Sequence, residues 1–302
     1  MKRLLLLGLL LIGLCAGARA EGPRVVTTDF PCYDIVRAVA GDTAEITMLI
    51  RPGTEAHSYD PTPSDILKVE SADLFVFIGG ESDVWADSVL SGADGEPKVL
   101  RLIDRVTALE EEGEPHQDSE APEMDEHIWT SPKNELVMVR AAEEALCGID
   151  PENAALYHGN ADAYCAEIQR QDEELTALTR EAANRTIVVA DRFPFLYLAH
   201  DYGLSYASAF ASCASDTEPT AKILVGLIDT IRREGLTRVY VIEMSNRAIA
   251  RTISEETGAG ILELHSMQTV TQREFEAGET YVTLMDKNIA ALRKGLLGDE
   301  DA

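Results

Sequence analysis

Two of the six histidines in this chain sit in short turns crowded with proline and acid. One turn reads Pro52-Gly53-Thr54-Glu55-Ala56-His57-Ser58-Tyr59-Asp60-Pro61-Thr62-Pro63, the other Asp125-Glu126-His127-Ile128-Trp129-Thr130-Ser131-Pro132. Turns beside rigid elements are where binding groups concentrate, and neutral imidazole is a common ligand for zinc. The pair therefore points to capture of a divalent transition metal, with Tyr59 and Trp129 packed around the ligands. His158 and His200 fall in helical runs beside polar neighbours and read as surface residues.

Other chemistry finds less support. Neither His-Glu-x-x-His nor Gly-x-Ser-x-Gly occurs. A secreted zinc hydrolase, which needs an open coordination position and a nearby base, is thus a remote alternative. The net charge is -27, from 26 basic and 53 acidic residues. Nucleic acid and anionic membrane surfaces require basic patches and are excluded as partners. A strongly negative protein attracts cations, although solubility alone would account for the charge. The region 109–126 holds nine acidic residues with Pro115, Pro122 and His116. It reads as an acidic loop that cannot form a core.

Residues 1–20 read as a secretory signal peptide. Lys2 and Arg3 precede an apolar run too short to span a bilayer, and Ala18-Arg19-Ala20 is a cleavage pattern. Cys15 offers a second reading, a lipid anchor after cleavage. Export permits disulfides among Cys32, Cys147, Cys165 and Cys213. Cys147 and Cys165 would meet across a helix–turn–helix, leaving Cys32 and Cys213 as a second pair or free.

The mature chain alternates short strand-like and helical patterns, so α/β lobes with parallel sheets are expected. Strands are predicted at 24–28, 44–50 and 74–78, and again at 186–190, 238–242 and 261–264, with 205–210 a strand or loop. Helices are predicted at 33–40, 64–71, 132–146, 194–201, 219–234, 246–257 and 280–297. In the helix at 219–234, Ile223, Leu224, Leu227, Ile228 and Ile231 are the expected inward face. Residues 152–183 form one uninterrupted helical pattern, about 45 Å long at ~1.5 Å per residue. That length suits a rigid strut between an N-terminal lobe (21–148) and a C-terminal lobe (185–302), the linker being 149–184. His57, His127, His265, Asp191 and Glu243 all fall after strands or in loops before helices, where open α/β sheets bind ligands. Residues from both lobes would then face one cleft.

These segments resemble the metal-specific solute-binding proteins of ABC importers, the ZnuA/TroA-like family that takes up zinc or manganese. The resemblance is carried by Val25-Val26-Thr27-Thr28-Asp29-Phe30-Pro31, by the His57 and His127 turns, by 199–204, by Thr217-Glu218-Pro219 and by 281–292. It covers the whole mature chain. It implies two α/β lobes joined by one long helix, with one metal in the inter-lobe cleft held by three His and one carboxylate or by two of each. Carried across, His57 and His127 are the first lobe's ligands. The second lobe departs from the pattern. Asp191-Arg192-Phe193-Pro194-Phe195 puts Arg192 where the family has its third His, and arginine cannot ligate a cation. His265 falls where the family has Asp.

The resemblance thus implies an exchange of types, with Asp191 third, His265 fourth and Glu243 in reserve; the bland reading of Asp191 is a helix cap. Three imidazoles with one carboxylate favour zinc, with manganese the alternative. The implied role is a monomeric, periplasmic or cell-surface binding protein that hands metal to a membrane permease. An adhesin-like surface protein with the same site is a second reading.

Overall fold

The computed structural model describes residues 22–92, 95–111, 123–210 and 219–298. The signal segment with Cys15, and His116, Cys213 and Thr217-Glu218, lie outside the described residues.

The first lobe is built on β1 (Arg24–Thr27), β2 (Glu45–Met48), β3 (Leu74–Phe77) and β4 (Lys98–Arg101). All pairings are parallel, in the order β2-β1-β3-β4. The second lobe repeats this order with β5 (Thr186–Val189), β6 (Ser205–Ser208), β7 (Arg238–Val241) and β8 (Gly260–Glu263), arranged β6-β5-β7-β8. The central strands are apolar and buried on both faces, as in β3, Leu-Phe-Val-Phe. Both faces of a parallel sheet are covered by its crossover helices. In each sheet the chain order reverses between the two central strands. The crevice at their carboxyl ends is where such sheets bind ligands.

One helix serves both lobes. α5 (Ala154–Glu181) is 28 residues long, about 42 Å. It packs on α1 (Phe30–Ala40) and α4 (Pro132–Ile149) of the first lobe and on α10 (Tyr281–Leu297) of the second. The apolar core around these helices is continuous, running from Val25 and Ile35 through Ile168 and Leu175 to Leu284 and Leu292. Separate clusters line the outer faces of the two sheets. A buried carboxylate adds a polar fastening. Asp34 on α1 accepts from Tyr281 N at 3.0 Å and Arg37 Nη2 at 2.8 Å, and from the Tyr164 hydroxyl on α5.

Two expectations are corrected. Cys147 and Cys165 are free thiols, as is Cys32. α4 and α5 do form a hairpin, but its turn lies at Asp150–Asn153, so Cys147 is level with residues near 156. Cys165 is about nine residues further along, some ~13 Å away, beyond disulfide reach. In α7 (Ala221–Glu234), Leu227, Ile228 and Ile231 are buried, but Ile223, in the first turn, is 38% exposed.

Candidate metal centre

His57 enters the site on a single 3-10 turn, Ala56–Ser58, after β2. The far end of its loop is anchored by Thr62, which caps α2 (Pro63–Glu70) and exchanges hydrogen bonds with Asp65. Opposite stands the loop after β3. Gly80 lets it approach closely, since a Cβ there would lie 2.1 Å from Glu126 Cβ. Ser82, in that loop, lies 2.9 Å by its Oγ from His57 Nδ1 and 2.5 Å from Glu126 Oε1, and Ser82 N donates to Glu126 Oε2 at 2.8 Å.

These contacts fix the tautomer of His57. A hydroxyl has one proton, and a carboxylate can only accept. Ser82 gives its proton to Glu126 and so receives one from His57 Nδ1. His57 Nε2 is left with the lone pair. His127, 3% exposed, is set the same way by a shorter route. Its Nδ1 lies 3.2 Å from Asp125 Oδ1, which also accepts His127 N at 2.8 Å, so Nδ1 carries the proton and Nε2 the lone pair. Metal-binding histidines are oriented in this manner, with the other nitrogen held by a carboxylate or its relay. The two rings stand 5.9 Å apart, and Trp129 packs 5.3 Å from His127.

Ligand-type atoms of His57, Glu126 and His127 lie within 4.8 Å of one another. Distance alone would make Glu126 a third ligand. Its two oxygens are instead engaged behind His57 on Ser82, and the nearer ring nitrogen is Nδ1, at 3.6 Å. Glu126 positions His57. Asp29 and Asp83 are buried beside it. Burial pushes their carboxyl groups up, to about 6 and about 8, against hydrogen bonds that favour the ions, and the charge of Glu126 raises both further. At neutral pH burial keeps Asp83 protonated, so the negative charge behind the two imidazoles, which draws in cations, comes from Glu126 and Asp29.

The second lobe faces His57 across a cavity of about 340 Å³ that also bears Asp191, Arg192, Glu243 and Gln268. Asp191 Oδ1 accepts the N–H of Arg192 at 3.1 Å, and burial raises its pKa against the hydrogen bonds it receives. Arg192 reaches across the cleft to Glu55, Nη1 to Oε2, at 3.4 Å. Glu243 is spent on Ser266, accepting its N–H at 2.7 Å and its hydroxyl. His265 is placed behind this wall. Its Nδ1 accepts Met267 N at 2.9 Å, and its Nε2 is 3.8 Å from Glu274 Oε1. Burial disfavours charge on the ring but is outweighed by Glu274 and Glu243, which hold its pKa above the ordinary value.

The structure thus brings His57 and His127 together, sets Asp191 on the opposite wall, and seats His265 apart from that cluster. Sequence reading missed Ser82 and the orienting roles of Asp125 and Glu126. The Gly79-Gly80-Glu81-Ser82-Asp83 loop after a fully buried strand was the available signal.

The family described as "Zinc-uptake complex component A periplasmic", ZnuA, matches residues 25–295. The chain belongs to this family. It is 31% identical over 304 residues to the zinc-binding lipoprotein AdcA of Streptococcus pneumoniae, covering 95% of this chain and 60% of that protein. It is 29% identical to the high-affinity zinc uptake system protein ZnuA of Bacillus subtilis, covering 95% and 94%. The Zn(II)-bound ZnuA-like domain of pneumococcal AdcA superposes with a TM-score of 0.78 at 29% identity, over 91% of this chain and 99% of that one. The expected ZnuA-like architecture of two α/β lobes and one long helix is the one observed. The chain spans only part of the longer AdcA relatives, 60% of the pneumococcal one and 56% of one from Streptococcus pyogenes.

Proposed function

We propose that this ZnuA family member is an extracytoplasmic, non-enzymatic binding protein that captures zinc and delivers it to an ABC-type permease. The observation that carries the proposal is the pair His57 and His127, whose ligand-type atoms lie within 4.8 Å and whose Nδ1–H groups are each held by an acceptor, which leaves the lone pair on Nε2. Imidazole nitrogens in a small, largely buried site suit zinc better than manganese, which prefers oxygen-rich octahedral shells. Capture needs no chemistry on the ion. Ligands from both walls close the shell and exclude water, and withdrawing the second-lobe ligands releases it. The relatives' names support the same cargo: zinc-binding for AdcA, zinc uptake for the Bacillus protein.

The second lobe completes the shell with Asp191 or His265. Asp191 already lines the cavity with His57. His265 must first turn its ring to present a nitrogen, since Nδ1 is engaged by Met267 N. Isothermal titration and metal analysis on residues 21–302, with His57→Ala, His265→Ala and Asp191→Ala, test the proposal. One tight zinc per chain, lost in His57→Ala and in one of the second-lobe variants, is the expected result. A parent protein that binds no transition metal tightly would overturn it.

A further inference from the structure

The segment after His265 leaves the second lobe and is tied to the first at both ends. At one end the Trp129 indole Nε1–H donates to Ser266 O at 2.8 Å, two residues beyond His127. At the other, Gly53, four residues before His57, donates its N–H to Val270 O at 2.7 Å and lies 3.3 Å from Thr269 Oγ1. Gln268 is in the middle of this strap. The backbone before it is bent on purpose. Met267 holds φ at +64°, a left-handed conformation that a side chain as large as methionine adopts at some cost. The bend turns Met267 N back onto His265 Nδ1 and leaves Gln268 on the cavity wall beside His57.

The Gln268 amide nitrogen lies 3.4 Å from His57 Nε2. For a hydrogen bond this is long. It matches another separation. Two bonds of about 2.0–2.1 Å from one tetrahedral ion place their donor atoms about 3.3–3.4 Å apart. The nitrogen concerned is the one that carries the lone pair. A half-turn of the terminal amide exchanges nitrogen for oxygen at nearly the same point, because the two ends of a glutamine amide have the same shape.

We propose that Gln268 is a metal ligand supplied by the second lobe, its amide oxygen sharing the ion with Nε2 of His57 and His127. A neutral oxygen adds a bond without adding charge to a site already backed by Asp29 and Glu126. One place in a four-ligand shell then remains for Asp191 or His265. This inference rests on the metal site proposed above and names a donor that reading did not contain.

The test uses the mature chain with Gln268→Ala and Gln268→Glu, read by zinc competition against a chromophoric chelator and by the visible spectrum of the cobalt(II) form. Gln268→Ala is expected to weaken zinc binding by about tenfold or more, the least that even outer groups around metals contribute, and to alter the cobalt bands. Gln268→Glu is expected to restore tight binding, because it keeps an oxygen at the same point. An alanine variant with parental affinity and an unchanged cobalt spectrum would overturn the proposal. So would a glutamate variant as weak as the alanine one, which would reduce the side chain to packing. His57→Ala is measured alongside: if it binds zinc like the parent, the metal site itself is wrong, whatever Gln268 does.

Discussion

On the first-lobe side of the cleft, His57 and His127 each give Nδ1–H to an anchor and present Nε2. On the second-lobe side, His265 takes an N–H on Nδ1 and turns Nε2 toward Glu274. The two lobes share a strand order and the same placement of loops at the carboxyl ends of their strands. Topology brings a histidine to the carboxyl end of the sheet in both. What decides whether the ring is ready for a metal is the group holding its other nitrogen. The first lobe supplies carboxylate-backed acceptors, and the second supplies a backbone donor.

The comparison breaks most sharply at the rings themselves. His57→Ala and His127→Ala should each weaken zinc binding by more than about a hundredfold, beyond the 10–100-fold typical of outer groups. His265→Ala should cost less in a chelator competition assay; an equal loss would mean that the ring turns over when metal binds.

Next come the anchors. Ser82→Ala removes the relay between His57 and Glu126 and frees the ring to swing. We expect a loss of about 10–100-fold with fold and melting temperature largely kept. Asp125→Ala should act alike through His127. If neither variant changes affinity, preset tautomers are not what distinguishes the first lobe.

Arg192→Ala probes the opposite wall. Its pair with Glu55 is partly exposed, with side chains 26% and 47% accessible. Such pairs contribute little and are screened by salt. Zinc affinity should change by less than about threefold at physiological ionic strength.

The smallest effect concerns the frame of the His57 turn. Burial would raise the Asp65 pKa, but hydrogen bonds from Lys68 and Thr62 win and lower it to about 2. A depressed carboxylate contributes stability above its unfolded value, near 3.9, and loses that contribution as pH falls through its folded value. Asp65→Asn should therefore lower the melting temperature by roughly 1–3 °C at pH 6, with the gap closing toward pH 2. Zinc affinity at neutral pH should stay the same.

The alternating pattern of strands and helices was legible because each central strand is a short apolar run and each long helix has clear stops. α3 (Val84–Gly92), β4 and α9 (Gln272–Ala277) were not read. β4, Lys-Val-Leu-Arg, has an exposed first half and lies at the sheet's edge, so its apolar signal is brief. At the site, the residue types and turns of His57 and His127 announced themselves. Ser82 did not, because a serine becomes a proton relay only when folding places a histidine and a carboxylate on either side of it. Gln268 was equally silent, since its position depends on the left-handed backbone at Met267 and on a strap pinned by residues more than 100 positions away.

The long helix carries a mechanical consequence. α5 belongs to both cores, and Asp34 fastens α10 to α1, so swinging one lobe off the other would mean tearing a shared spine. Residues 266–270 are held to the first lobe by a few hydrogen bonds of roughly 1 kcal/mol each. If Gln268 is the ligand proposed above, a membrane partner that gripped this ribbon would peel it from the first lobe and lift Gln268 off the ion while both cores stay whole.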